Sequence, residues 1–330
     1  MREDIYLITG GSGFIGSYLA NYLYFLKLGK IYIVDKVKPP NFINKEINYK
    51  ELDILDFEKL SQYLEIIRPN YIFHLAARTD LAGGNINAYS SNTIGTKNLI
   101  KSTKNCDFIK RIIFTSSMLV CKIGYQPSND YDYCPTTFYG KSKVIGEKLV
   151  KNNSHKYSWC IVRPTSIWGP GFKIPYKNFF KLILENKYFH IGQNKVFKTY
   201  GYIGNTVHQL IKLMHQEEID INKKTFYLGD SAKYDLRSWA NEICELSHSK
   251  KIKALPLLLV YFISLFGSIL KKFKLNPPLT LFRFKNMTSN NIVNLKPIIK
   301  ISENLPFDRK TGVLLTLDWL LNEKTKYNSY

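Results

Sequence analysis

Tyr139 and Lys143 stand four residues apart in Tyr139-Gly140-Lys141-Ser142-Lys143. At that spacing two side chains share one face of a helix. An ammonium held beside a phenol, with a second positive charge on a cationic ring close by, lowers the phenol's pKa and would turn a poor base into one usable near neutral pH. Taken alone the pattern is common and fits a solvated helix as well. Upstream, Phe114-Thr115-Ser116-Ser117 closes an apolar run that reads as a strand. A hydroxyl there can hydrogen-bond a substrate oxygen whose proton the tyrosinate takes. Its alternative role is a helix cap or turn.

These groups need a scaffold and a reaction partner. Leu7-Ile8-Thr9-Gly10-Gly11-Ser12-Gly13-Phe14-Ile15-Gly16 runs from an apolar strand through a glycine-rich turn into a helix. Without Cβ atoms a backbone can approach a phosphate closely, and a helix N-terminus offers free N–H groups and partial positive charge to a pyrophosphate. Ile31-Tyr32-Ile33-Val34 reads as a second strand with Asp35 at its tip. A carboxylate about 20 residues past the glycines can accept from both ribose hydroxyls of an adenosine. It would repel a 2′-phosphate, which favours NAD over NADP, although neighbouring Lys36 argues mildly the other way.

The chain has 330 residues, enough for one large α/β domain and a smaller lobe, and 45% are hydrophobic. Lys and Arg number 47 against 26 Asp and Glu, a net charge of +21. A solvated basic surface accounts for this, as does attraction to a nucleotide diphosphate or an acidic membrane surface. Nucleic acid is not expected, because the lysines are spread along the chain and no binding module is present. The five cysteines (106, 121, 134, 160, 244) are widely spaced, with no Cys-x-x-Cys and no zinc-like grouping, so no metal is expected. Reduced thiols in a cytoplasmic protein explain them most simply. Met1-Arg2-Glu3-Asp4 leads directly into the first expected strand, so no signal peptide is expected.

Strand and helix signals alternate over the first 170 residues, which implies parallel βαβ units. Strands are expected at 4–9, 30–34, 47–52, 71–75, 111–116 and 158–163, and helices at 14–27, 56–66, 88–103 and 137–152. The fold class is therefore α/β, a doubly wound parallel sheet with a smaller C-terminal α+β lobe. Ligands in such sheets bind beyond the carboxyl ends of the strands. Residues 1–170 are assigned to nucleotide binding and 171–330 to the substrate lobe, which is free to lend elements back to the core. After Gly169-Pro170-Gly171 and Pro175, helices are expected at 177–186, 206–216 and 235–248, with short strands near 188–191 and 225–228. Leu255–Leu270 carries no charge and is flanked by Lys250, Lys251 and Lys253 on one side and by Lys271, Lys272 and Lys274 on the other. A buried or lobe-capping helix is the first reading, a helix lying in an anionic membrane interface the second and a membrane span the third.

Together these residues resemble the extended short-chain dehydrogenase/reductase family, in its NAD-dependent nucleotide-sugar epimerase/dehydratase branch. The resemblance runs from about residue 4 to 230 and rests on six motifs in order beyond the glycine loop. They are Leu52-Asp53-Ile54-Leu55-Asp56, His74-Leu75-Ala76-Ala77, Asn92-Thr93-Ile94-Gly95-Thr96, Thr115-Ser116-Ser117, Tyr139-x-x-x-Lys143 and Arg163-Pro164-Thr165-Ser166-Ile167-Trp168-Gly169-Pro170. The resemblance implies that Gly10, Gly13 and Gly16, with the amides of Phe14 and Ile15, hold the pyrophosphate. Asp35 would take the ribose, and Asp53 and Ile54 would flank the adenine. Leu75, Ala76 and Ala77 would line the cofactor, and Pro164 would sit under the nicotinamide. Lys143 would reach the nicotinamide ribose. Ser117 matches the catalytic hydroxyl, with Ser116 as fallback on the cofactor side. Asn92 joins that side in a structural or water-holding role.

Departures shape the expected reaction. Met118 and Leu119 replace the acid–base pair of the family's dehydratases, and neither transfers a proton, so a dehydratase is disfavoured. Cys121 stands where an aromatic is usual. Lys198 replaces an arginine that grips the substrate diphosphate, keeping the charge and losing bidentate geometry. Gly204-Asn205 replaces an acidic pair. Thr79, in Arg78-Thr79-Asp80, Asn178 and Arg283, which follows Pro277-Pro278, are further candidates to meet the substrate. His74, Trp159 and Trp168 read as packed residues. The expected activity is hydride transfer at the hydroxyl of a nucleotide diphosphate sugar, in the manner of an epimerase, by a homodimer pairing helices 88–103 and 137–152. The alternative is an NAD(P)-dependent dehydrogenase or reductase, akin to hydroxysteroid dehydrogenases, acting on a sterol-like or lipid-linked alcohol. It would touch the inner membrane face peripherally through 255–274.

Overall fold

The computed structural model describes residues 3–327 apart from 175, 274, 276 and 278. Met1, Arg2, Pro175, Lys274 and Pro278 of the sequence reading lie outside the described residues. The first half alternates β1 (Ile5–Thr9), α1 (Phe14–Phe25), β2 (Lys30–Asp35), β3 (Asn48–Glu51), α2 (Phe57–Ile67), β4 (Tyr71–His74), α3 (Thr96–Ser102), β5 (Arg111–Thr115), α4 (Phe138–Lys151) and β6 (Ser158–Pro164). Then come β7 (Ser166–Trp168), α5 (Tyr176–Leu184), β8 (Phe189–Ile191), β9 (Phe197–Lys198), β10 (Tyr200–Tyr202), α6 (Ile203–His215), α7 (Glu218–Ile221) and β11 (Thr225–Leu228). The chain continues with β12 (Tyr234–Asp235), α8 (Leu236–Leu246), β13 (Lys253–Leu255), α9 (Leu257–Lys272), α10 (Leu281–Thr288), α11 (Lys296–Ser302) and α12 (Arg309–Tyr327).

Seven parallel strands form one sheet in the order β11-β6-β5-β4-β1-β2-β3. Apolar residues point to both faces, as a sheet covered on both sides requires. Leu7 packs into one buried cluster and Ile8 into the other. Every residue of β6 is buried. The order reverses at β1, which lies between β2 and β4, and this opens a crevice at the carboxyl ends.

One expectation is made specific and two need correction. Residues 225–228 belong to the main sheet: β11 pairs with β6, Thr225 opposite Ile161 and Leu228 opposite Pro164. A short strand shows its period in sequence and not its partner. Helix 88–103 is three pieces, a 3₁₀ turn at Ile86–Tyr89, a π-helical stretch at Ser91–Gly95 and then α3. Segment 255–270 is not buried. Its N-terminal residue closes β13, which pairs with β8, and the remainder forms α9 with most of its apolar residues exposed. Among the described residues, no helix is long and apolar enough to cross a membrane.

Trp168 and Trp239 anchor an aromatic cluster with Phe180, Tyr200 and Tyr234, and Trp159 is buried on the other face of the sheet. Both Trp159 and Trp168 are thus core residues.

Candidate active site

At the end of β1 the chain turns at Gly10 with φ +73°, and a Cβ there would lie 2.6 Å from the Ala76 nitrogen. Gly16 faces the Gly10 carbonyl too closely for any side chain. Gly13 caps α1 without a side-chain bond, so first-turn amides, including those of Phe14 and Ile15, stay available to an anion. Asp35 braces this loop. Its Oδ2 accepts from the Ser12 amide at 3.1 Å and its Oδ1 from the Val37 amide at 3.2 Å. Burial raises its pKa, and these bonds oppose the rise.

Asp53 accepts from the Leu55 amide at 3.0 Å, and buried Ile54 packs where a side chain on Gly95 would stand. Leu75, Ala76 and Ala77 follow β4 and are half-buried; the Ala76 amide donates to Thr9 Oγ1 at 3.3 Å. Buried Pro164 closes β6. Side chains are missing where a phosphate backbone must approach, and a carboxylate closes the next strand. These residues fit a dinucleotide. His74 is bonded on both ring nitrogens, to Thr9 Oγ1 at 2.8 Å and Thr96 Oγ1 at 3.1 Å. Burial, then the Lys143 charge, pushes its pKa down to about 3, so it is a neutral packed residue.

Thr137 caps α4 by accepting from the Gly140 amide at 2.9 Å. Gly140 lies flat against the Leu119 carbonyl, which locks α4 onto the short turn after Ser117. Tyr139 and Lys143 then share a buried face. Ser117 lies close enough to the Tyr139 phenol to lower its pKa, and its Oγ accepts from the Leu119 amide at 3.1 Å. Without a cofactor's charge, burial pushes the Tyr139 phenol up to about 12 and Ser117 lowers it only partly. The Lys143 ammonium donates to the Thr115 carbonyl at 2.9 Å, and burial brings its own pKa down to about 8.

The face continues beyond the expected residues. Arg163 donates to both oxygens of Glu147 at 2.8 Å, and Lys151 stands 3.5 Å from the same carboxylate. The Tyr133 hydroxyl donates to Glu147 Oε2 at 2.9 Å. This buried group ties α4 to β6, and sequence reasoning missed it. The signal was the period-four series Tyr139, Lys143, Glu147, Lys151, together with an arginine inside an apolar strand. A cavity of about 20 Å³ lies among His74, Asn92, Thr96, Ser116, Lys143 and Glu147, with room for about one water. Asn92 sits in the π-helical stretch, and its whole amide is engaged. It accepts from the Arg78 amide at 2.8 Å and donates to the Arg78 carbonyl at 3.0 Å and Ser142 Oγ at 2.8 Å.

The expected substrate residues differ in their exposure. Thr79 is exposed between Arg78 and Asp80, which pair at 2.7 Å. Asn178 is exposed in the first turn of α5. Lys198 is buried and donates to the Asn286 carbonyl at 2.6 Å and its Oδ1 at 3.1 Å, with its pKa lowered to about 8 by burial. Arg283 is exposed on the same α10, three residues from Asn286. Asn205 donates to Asp230 Oδ1 at 2.7 Å and to the Phe307 carbonyl at 2.9 Å, so it serves as a structural tie. Two bonds join the loop after Ser117 to the C-terminal region. The Gly124 amide donates to Asn291 Oδ1 at 3.0 Å, and Gln126 Nε2 donates to the Ile292 carbonyl at 2.8 Å. All five cysteines are unpaired, and Cys121 lies beside Cys134.

The chain is 34% identical over 196 residues to a vaccinia virus protein described as 3 beta-hydroxysteroid dehydrogenase/Delta 5→4-isomerase, covering 52% of this chain and 54% of that one. It is 33% identical over 253 residues to a Dictyostelium discoideum protein described as dTDP-D-glucose 4,6-dehydratase, covering 66% and 58%. The chain thus spans little more than half the length of these relatives. The fold matches a crystal structure of the UDP-glucose 4-epimerase of Thermotoga maritima with UDP-glucose, at 19% identity and a TM-score of 0.73 over 97% of this chain and 99% of that one. A family profile described as "NAD dependent epimerase/dehydratase family" matches residues 6–223, about two thirds of the chain. With the glycine loop, Asp35 and the Tyr139–Lys143 face in register along that stretch, the chain belongs to the NAD-dependent epimerase/dehydratase family.

Proposed function

We propose that the protein is an NAD-dependent enzyme of the nucleotide-sugar epimerase type, acting at a hydroxyl of a nucleotide diphosphate sugar. The observation that carries this reading is the Tyr139 phenol, buried on one helix face with Lys143 and close to Ser117. Ser117 would hold the substrate oxygen while the phenol of Tyr139 takes its proton. Lys143 would bind the nicotinamide ribose and keep positive charge near the phenol. Bound NAD supplies the hydride acceptor and a positively charged ring. The unaided phenol is protonated at neutral pH, so its work as a base depends on added positive charge in the loaded site. Met118 and Leu119 offer no acid–base pair, which argues against water elimination.

The pyrophosphate would lie on Gly10, Gly13, Phe14, Ile15 and Gly16, and the adenosine against Asp35, Asp53 and Ile54. Leu75, Ala76, Ala77, Ser116 and Pro164 would line the remainder, with Asn92 positioning the loop at Arg78. Thr79, Asn178 and Arg283 remain candidates for the sugar nucleotide. Lys198 would meet a diphosphate only by leaving Asn286. Exposed Ile94, Phe138 and Ile145 support a homodimer formed through the π-helical stretch and α4.

A panel of nucleotide sugars, followed for products and for nicotinamide absorbance, tests the reading. Epimerisation without net cofactor reduction supports it, and stoichiometric reduction points to a dehydrogenase. A second reading, oxidation of a sterol-like or lipid-linked alcohol, is favoured by the exposed apolar face of α9 and by the description of the vaccinia relative.

A further inference from the structure

Helix α9 buries Val260 and Ser264 completely and turns most of its other apolar residues outward: Leu258 is 69% exposed and Phe262 and Phe266 are each 62% exposed. Gly267 also faces inward, pressed against the Leu279 carbonyl. This narrow stripe packs α9 on α10, where the Tyr261 and Phe284 rings meet at 5.7 Å. Helix α10 buries none of its own residues and adds exposed Phe282. The hairpin therefore carries Leu258, Phe262, Phe266, Ile269, Phe273 and Phe282 as exposed large apolar side chains. Such density marks an interaction site.

Charge identifies the partner. No Asp or Glu occurs between Glu245 and Glu303. Over the same stretch Lys250, Lys251, Lys253, Lys271 and Lys285 are all exposed. They stand before α9, at its end and on α10. A second copy pairing through this face would bring cations against cations. A helix lying flat in an anionic interface places its apolar side among acyl chains and both lysine groups among headgroups. The serines do not oppose insertion. Ser264 Oγ donates to the Tyr261 carbonyl at 2.7 Å, Ser268 Oγ to the Ser264 carbonyl at 2.8 Å, and Ser268 Oγ accepts from the Leu281 amide at 2.8 Å. At 16 residues α9 reaches about 24 Å, short of a bilayer core.

We propose that the α9–α10 hairpin docks this protein on the surface of an anionic lipid bilayer. The contact is independent of which alcohol the active site takes. Because Lys198 bonds Asn286 on α10, the docked element is attached directly to the substrate lobe.

The test is co-sedimentation of the full-length chain with vesicles of phosphatidylcholine alone and with roughly one third phosphatidylglycerol added. Anionic vesicles should bind the chain at least about tenfold more tightly, and high salt should weaken the binding. Phe262→Ser with Phe266→Ser should lower that affinity at least roughly tenfold while NAD affinity and thermal midpoint hold. Lys250→Gln, Lys251→Gln and Lys253→Gln together should reduce the preference for anionic over neutral vesicles. Failure of the natural chain to bind either vesicle overturns the proposal. So does equal binding by the phenylalanine variant, or a dimer in solution that this variant dissolves, which would mean that a second copy covers the face.

Discussion

Helices α4 and α9 differ by only two residues in length and hide opposite things. Helix α4 turns Tyr139, Lys143 and Glu147 inward, while α9 turns leucines and phenylalanines to solvent. Each departs from the usual amphipathic arrangement, in which apolar residues face the core and polar ones the solvent: α4 buries charges beside Val144 and Val150, and α9 exposes most of its apolar residues. Burying a charge costs several kcal/mol unless it is paired, and α4 meets that cost with Arg163 and the Thr115 carbonyl. Helix α9 has no such network. Its sequence is explained by something outside the chain, whereas that of α4 is explained by chemistry inside it.

The contrast breaks most visibly at Glu147. Replacing it with Ala leaves the Arg163 guanidinium buried beside no carboxylate, and unfolding free energy should fall by on the order of 4 kcal/mol in denaturant titration. Combining Glu147→Leu with Arg163→Met should restore most of it; if it does not, the pair does more than satisfy two buried charges. Tyr139→Phe should lower turnover roughly a thousandfold, about 4 kcal/mol in activation free energy, and leave NAD affinity within about threefold. Undiminished turnover would remove Tyr139 from the proton path.

His74 sharpens the inner side of the comparison. Its folded pKa of about 3 lies below the ordinary 6.5, so the unfolded chain takes the proton first as pH falls. This group therefore withdraws roughly 3 kcal/mol of stability between pH 6.5 and pH 4. His74→Asn should flatten that part of the stability–pH curve, and an unchanged slope would assign the acid sensitivity elsewhere. The smallest effect belongs to α9. Phe262→Ser should shift stability by less than about 0.5 kcal/mol. Val260→Ala, on the inward stripe, should cost about 1–2 kcal/mol. A large loss at Phe262 would mean that the face packs against the protein after all.

Where the candidate residues sit was legible in the sequence. Gly10 follows β1, Asp35 closes β2, Ser117 follows β5, and Tyr139 and Lys143 share α4, because strand and helix periods are local signals. The π-helical stretch was not readable. Asn92 bonds both Arg78 and Ser142, from segments far apart in sequence, and nothing in the apolar pattern announces a widened turn. Lys198 was legible as a cation and not as one buried against Asn286. Leu255–Leu270 was legible as apolar, while its exposure depended on what the rest of the chain left uncovered.

By itself the sequence determined the order of strands and helices, the turn at Gly10 where no Cβ can stand, and which side chains share a face of α4. Those follow from sterics and periodicity between near neighbours. Tertiary structure alone decided that β11 joins β6, that burial holds the Tyr139 phenol at about 12 despite a lysine one turn away, and that α9 faces outward. Desolvation and exposure are sums over every element packed around a group, and no stretch of sequence contains that sum.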